Sequence, residues 1–184
     1  MSPELTKRTR KKLRAAAKSS CVKPARLQVG ALCWRYTAKD KIKVLLVTSR
    51  ETGRWVIPKG WTMSNRSTAG AAEREAWEEA GVRGDINPQS VGLYTYRKRL
   101  NRKRAVRCVV KVFPLEVKEQ LKRYPESGQR KTEWFNPAKA ARKVKEPELR
   151  TILLNAKSLI EHTQNHGSVV RASEDPELLD TITA

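Results

Sequence analysis

Gly60–Val82, reading GWTMSNRSTAGAAEREAWEEAGV, is the stretch on which the interpretation of this chain turns. Ser67 or Thr68 can cap a helix that runs to Ala80, and Gly81 supplies a C-terminal stop. Each helical residue rotates the side chain by about 100°, so positions three and four apart share a face. Glu75, Glu78 and Glu79 therefore fall together, and Arg74 stands one turn before Glu78, close enough to pair with it. Ala69, Ala72, Ala76 and Ala80 form a separate stripe. Small side chains there let the helix approach a sheet closely and hold the carboxylates in place.

Three carboxylates on one face repel one another unless something positive sits between them. Mg²⁺ prefers hard oxygen ligands and usually keeps several waters, leaving positions for substrate phosphates. Such a set suits metal-assisted phosphoryl hydrolysis, in which a cation polarises the phosphoryl oxygen and acidifies a water. Glutamates at this spacing also decorate solvated helix faces, so the surrounding sequence has to decide.

Working outward, β-branched and apolar runs predict strands over Leu27–Tyr36 and Lys41–Thr48, joined by a turn at Lys39-Asp40. Trp55-Val56-Ile57 reads as a short strand stopped by Pro58 and Gly60, and residues 61–67 as a loop. Val91–Tyr96 and Ala105–Val117 read as strands bracketing a basic hairpin tip at 97–104, with Glu133-Trp134-Phe135 as a last short strand. Pro137 starts one helix, and Pro147 a second that reaches about His162. Strands mixed with helices of this length imply an α/β or α+β sandwich. Three units follow: a basic, disordered or partly helical arm over 1–24, a domain over 25–162, and a loose polar tail over 163–184.

The chain carries 39 Lys and Arg against 19 Asp and Glu. Residues 1–26 hold nine basic side chains against Glu4, and residues 97–107 hold seven with no acid. Such clustering attracts polyanions, whether nucleic acid, membrane headgroup or a heavily phosphorylated small molecule. Cys21, Cys33 and Cys108 show no C-x-x-C spacing and read as reduced thiols of a cytoplasmic protein. No apolar run approaches the roughly 20 residues that span a bilayer. Composition leaves the oligomeric state open.

The segment from Gly60 to Val82 resembles the Nudix box, G-x5-E-x7-R-E-U-x-E-E-x-G-U with U aliphatic. Arg74, Glu75, Glu78, Glu79, Gly81 and Val82 fall where that pattern wants them. Arg66 stands where the family has its first Glu, and Ala76 replaces a larger aliphatic residue. Within the family the chain looks most like the diphosphoinositol polyphosphate phosphohydrolases. The matching pieces are Val44–Ser49, Arg54–Pro58, Glu79–Gly84 and Arg130–Phe135. The resemblance implies a Nudix-type α/β/α sandwich around a mixed β-sheet. It implies Mg²⁺ as cofactor, with Mn²⁺ as a substitute, and hydrolysis of phosphoanhydrides in diphosphoinositol or dinucleoside polyphosphates.

By the same resemblance Glu75 and Glu79 would be metal ligands, Glu78 a ligand or the general base, and Arg74 the residue orienting the carboxylates. The Gly60 loop would shape the site, and Arg26, Ser49, Arg102, Arg104, Arg130 and Lys145 would contact phosphate. Lys59 departs from the animal enzymes, which favour Gly there, and adds a cation beside the site. Two competing readings stay open. One is a 5′-pyrophosphohydrolase of RNA, served by the basic arm; the other is a domain that binds nucleic acid or a ligand without catalysis, which Arg66 favours. His162 and His166 are spaced for a metal, but no carboxylate motif accompanies them, and they read as solvated. Trp34, Trp55 and Trp134 read as core, whereas Trp61 beside Gly60 is a candidate substrate contact.

Overall fold

The computed structural model describes residues 24–101 and 104–172. The arm 1–24 except its last residue, Cys21, Arg102 and the end of the expected tail lie outside the described residues. Eight strands form one mixed sheet: β1 (Arg26–Tyr36), β2 (Ile42–Thr48), β3 (Trp55–Val56), β4 (Lys59–Trp61), β5 (Val82–Ile86), β6 (Gly92–Arg99), β7 (Ala105–Gln120) and β8 (Thr132–Phe135). Helices α1 (Thr68–Ala80), α2 (Pro137–Lys143), α3 (Pro147–Leu154) and α4 (Ala156–Ala172) complete the described chain.

The sheet is buried on both faces, which is why β1 reads as an unbroken apolar run instead of an alternation. Val29, Ala31 and Cys33 pack on one side with Leu45, Val47 and the alanines of α1. Leu32 and Trp34 point to the other side, with Val44, Leu46 and the apolar residues of α2, α3 and α4. The architecture is an α/β/α sandwich around a mixed β-sheet. β1 and β7 run parallel at its centre, from Arg26 opposite Cys108 to Trp34 opposite Glu116, and every other pairing is antiparallel.

β1 changes partner along one edge, and that change builds the site. Its C-terminal end pairs with β2, and its N-terminal half pairs with β4, Gly30 opposite Lys59 and Gln28 opposite Trp61. The sequence predicts a loop from residue 61, with a stop at Pro58 and Gly60; instead the stretch after Pro58 is a strand. Pro58 lacks an N–H but keeps its carbonyl, which accepts from the Ala31 amide at 3.0 Å. β5 is also unanticipated. Its Arg83, Gly84 and Asp85 carry no strand signal, and it exists because the long β7 offers residues 115–120 as a template. The helix expected from Pro147 to His162 is two helices separated at Asn155, whose φ −96°, ψ 12° leave the helical well. The second runs on to Ala172, beyond the expected onset of the tail at 163.

The stop and start signals around α1 hold. The Ser67 hydroxyl accepts from the Gly70 amide at 3.0 Å, and Gly81 takes the left-handed conformation at φ 67°. A Cβ at Gly81 would also meet the Leu121 carbonyl at 2.8 Å, so both conformation and space demand glycine. Ala72, Ala76 and Ala80 are fully buried against the sheet. Ala72→Leu should overpack this seam and lower stability by about 1–3 kcal/mol. Urea unfolding checks this; an unmoved midpoint would show a loose helix–sheet gap.

Candidate active site

Glu79 is 4 % exposed although it is a carboxylate, and its partners explain how that is tolerated. Oε2 accepts from the Lys59 backbone N–H at 3.1 Å, an arrangement that needs β4 paired onto β1 beneath α1. Oε1 pairs with Arg130 Nη2 at 2.5 Å, both side chains being 5 % exposed. The same guanidinium donates to Glu126 Oε2 at 2.5 Å and to the Thr48 carbonyl at 3.0 Å. Glu126 in turn pairs with Arg50 at 3.2 Å. Burial pushes the Glu79 carboxyl above its usual range, while Lys59 and Arg130 pull the other way.

Glu75 is set differently. Its carboxylate lies against the Gly60 backbone, where a Cβ would come within 1.8 Å of Oε1. It makes no hydrogen bond or ion pair with the described residues. Its pKa is pushed up to about 7, first by burial and then by the negative charges of Glu79 and Glu78. Glu78 pairs with Arg74 Nε at 2.5 Å, and the guanidinium also stacks 4.3 Å over the Trp77 ring. A helix pair at this spacing, only partly buried, contributes about 0.3–0.5 kcal/mol, so its importance is in fixing where Glu78 points.

A cleft of about 880 Å³ opens over these groups. Glu75, Glu78, Glu79, Ser49, Lys59, Gly60, Arg130 and Lys145, all expected from the sequence, line it. Arg130, however, has its guanidinium committed to Glu79, Glu126 and Thr48, so it braces a carboxylate. Arg74 stands behind the cleft wall and acts through Glu78. Arg26 reaches only its edge, 4.2 Å over the Trp61 ring. Arg104 is not brought in: its carbonyl closes the hairpin by accepting from Leu100, and the residue is exposed away from the lining. Arg102 lies outside the described residues.

Several lining residues escape the sequence reading. Arg54 pairs with Glu146 in the cleft lining, a contact between positions 92 apart that no local pattern announces. Tyr96 donates to the buried Gln28 at 2.6 Å and lies beneath Arg54 and Lys59. The alternation of Tyr94, Tyr96 and Lys98 along β6 is the signal that could have found it. Lys59 is held below its ordinary pKa by burial and by its neighbours Arg130, Lys98 and Arg54, against the pull of Glu79.

Whether this set suits a divalent cation follows from the donors. Among the described residues, no three acidic, His or Cys side chains converge into a ready-made cage. A hydrated Mg²⁺ does not require one, since it commonly uses one or two carboxylates and keeps its waters. Glu75, crowded by like charge and held in no ion pair, fits that demand directly. Glu78 and Glu79 would each exchange an arginine contact for the cation.

A helix presenting Glu75, Glu78 and Glu79 to a cleft, tucked against a glycine strand in an α/β/α sandwich, is the frame of a Nudix domain. The NUDIX domain model matches residues 26–156, and the chain belongs to that family. It is 34 % identical over 107 residues to Nudix hydrolase 13, mitochondrial, of Arabidopsis thaliana, covering 55 % of this chain and 53 % of that protein. It is 32 % identical over 110 residues to diphosphoinositol polyphosphate phosphohydrolase 2 of Rattus norvegicus, covering 59 % and 56 %. The chain thus spans about half the length of these relatives. A C. elegans Ap4A hydrolase in a binary complex shares the fold at TM-score 0.56 and 19 % identity, over 75 % of this chain and 99 % of that one.

Two outcomes test this geometry. Arg130→Met leaves Glu79 buried beside an uncharged group and should cost about 3–5 kcal/mol, read by chemical unfolding. Glu75→Gln should raise the melting temperature in chelator at pH 8, because the folded pKa of Glu75 lies above its unfolded value and ionisation works against the fold. The gain should shrink as pH falls through about 7 and vanish only below the ordinary carboxyl value of 4.5. A gain independent of pH would mean that Glu75 is not crowded by charge.

Proposed function

We propose that this chain is a divalent-metal-dependent pyrophosphohydrolase that cuts a phosphoanhydride bond in a highly anionic small molecule, a diphosphoinositol or dinucleoside polyphosphate. The observation that carries this reading is the meeting, in one cleft, of Glu75, Glu78 and Glu79 with the basic wall of Arg97, Lys98 and Arg99. The family membership and the named activities of the relatives support it.

Glu75, Glu78 and Glu79 would hold Mg²⁺, with Mn²⁺ as a substitute. Bound there, such an ion polarises a phosphoryl oxygen and lowers the pKa of water. Arg97, Lys98, Arg99 and Lys59 hold the phosphate chain by charge, the guanidinium forks matching phosphate oxygens. Glu78, kept in orientation by Arg74, accepts the proton of the water that attacks phosphorus, and the anhydride P–O bond breaks, giving inorganic phosphate from a diphosphoinositol or two nucleotides from a dinucleoside polyphosphate. Arg130 and the Lys59 N–H hold Glu79 still while charge moves. The same cations stabilise the leaving phosphate, an electrostatic contribution that commonly dominates such reactions.

The exposed Arg66, in place of the family's first Glu, favours a ligand-binding domain without turnover as the second reading, and the basic β6 is compatible with a 5′-triphosphorylated RNA substrate. Among the described residues no helix is long and apolar enough to cross a membrane. Buried free Cys33 and Cys108 support a reducing, cytoplasmic setting. Initial rates on inositol pyrophosphates, diadenosine polyphosphates, nucleoside triphosphates and 5′-triphosphorylated RNA rank the substrates. With folding verified, Glu78→Gln should lower turnover by roughly 10²–10⁴-fold, and chelator should abolish it until Mg²⁺ is returned. Near-full turnover by the variant would remove Glu78 from the chemistry.

A further inference from the structure

The cleft is also lined by a buried carboxylate from outside the glutamate helix that the chemistry above does not use. Glu146 is 5 % exposed and precedes α3 at its N-cap. A helix N-terminus ordinarily welcomes phosphate. Here the cap residue is itself an acid, and its side chain leaves the helix uncapped to pair with Arg54. Its other oxygen, Oε2, is buried without a partner among the described residues, as is the neighbouring Tyr94 hydroxyl. Two residues on, Glu148 accepts from Thr95 at 3.2 Å, and Thr95 also lines the cleft.

We propose that Glu146 is a specificity-determining residue: by holding Arg54 in a buried ion pair it withholds that cation from phosphate, so that the site takes a linear polyphosphate ending in a neutral sugar and disfavours a ring phosphorylated on every side. The proposal rests on the pyrophosphohydrolase reading and selects between its two substrate classes. A phosphate entering here would draw Arg54 from Glu146 and leave an uncompensated buried carboxylate, the costly half of a broken ion pair. A sugar hydroxyl carries no such cost, since it can donate to a carboxylate. Arg97, Lys98 and Arg99 of β6, together with Lys145, remain for the phosphate chain. The cleft therefore holds a cation, Arg54, that is already matched by a buried acid, beside others left for phosphate.

The full chain is assayed against a diadenosine polyphosphate and a fully phosphorylated diphosphoinositol, reading the ratio of kcat/KM, and both ligands are titrated by calorimetry. Wild type should favour the dinucleotide, Glu146→Gln should narrow the ratio by roughly tenfold toward the ring, and Glu146→Asp should keep the wild-type preference. A wild type that favours the ring overturns the proposal without need of a variant, and so does a Glu146→Gln ratio that does not move. Absent turnover with the selectivity preserved in the affinities would fault the hydrolase reading alone.

Discussion

Taking a carboxylate out of water costs several kcal/mol unless charge and hydrogen bonds replace the lost hydration. Glu79 meets that demand with one backbone N–H and one guanidinium, and those two partners come from opposite directions. The N–H belongs to β4, which exists as a strand only because β1 offers its N-terminal half as a template. The guanidinium is carried just before β8, where Arg130 also grips the Thr48 carbonyl at the end of β2. Compensation of one buried acid thus ties the glutamate helix, both flanking strands and the loop after β2 into a single rigid frame.

That frame leaves the three glutamates in unequal states. Glu79 is saturated with partners, Glu78 is steered by Arg74, and Glu75 is pressed on Gly60 with like charge around it and no ion pair. Inequality of this kind suits a site that recruits a cation: one acid is ready, and two are held in place by arginines that can be displaced. The cleft repeats the pattern on a larger scale. Arg97, Lys98 and Arg99 leave positive charge along β6, whereas the charge of Arg54 beside them is matched by Glu146. An excess of twenty positive charges in the sequence therefore says little about the field at a particular atom.

Much of the helix that carries the acids is legible in the sequence, because its signals are local. Ser67 caps it, Gly81 ends it, and the spacing of Glu75, Glu78 and Glu79 puts them on one side. The alanine stripe announces a close helix–sheet approach, and Ala72, Ala76 and Ala80 are fully buried. The apolar runs of β1, β2 and β7 are likewise visible, since burial on both faces demands them. β5 is not, because Arg83, Gly84 and Asp85 become a strand only through hydrogen bonds donated and accepted by β7. Arg26 and Arg104 also show the limit: their charge is evident, but neither lines the cleft.

Sequence alone determined the identity of the acids, the helix that bears them and the two-sided burial of the central strands, since each follows from neighbours a few positions apart. Tertiary structure decided which acid stays out of the ion pairs among the described residues, which arginines are spent as braces and which lining cation is matched by a buried acid. Those outcomes depend on contacts such as Glu79 with Arg130 and Arg54 with Glu146, 51 and 92 positions apart. The energy of a charge is set by what surrounds it in space, and a buried charge is answered only by groups that the fold brings to it.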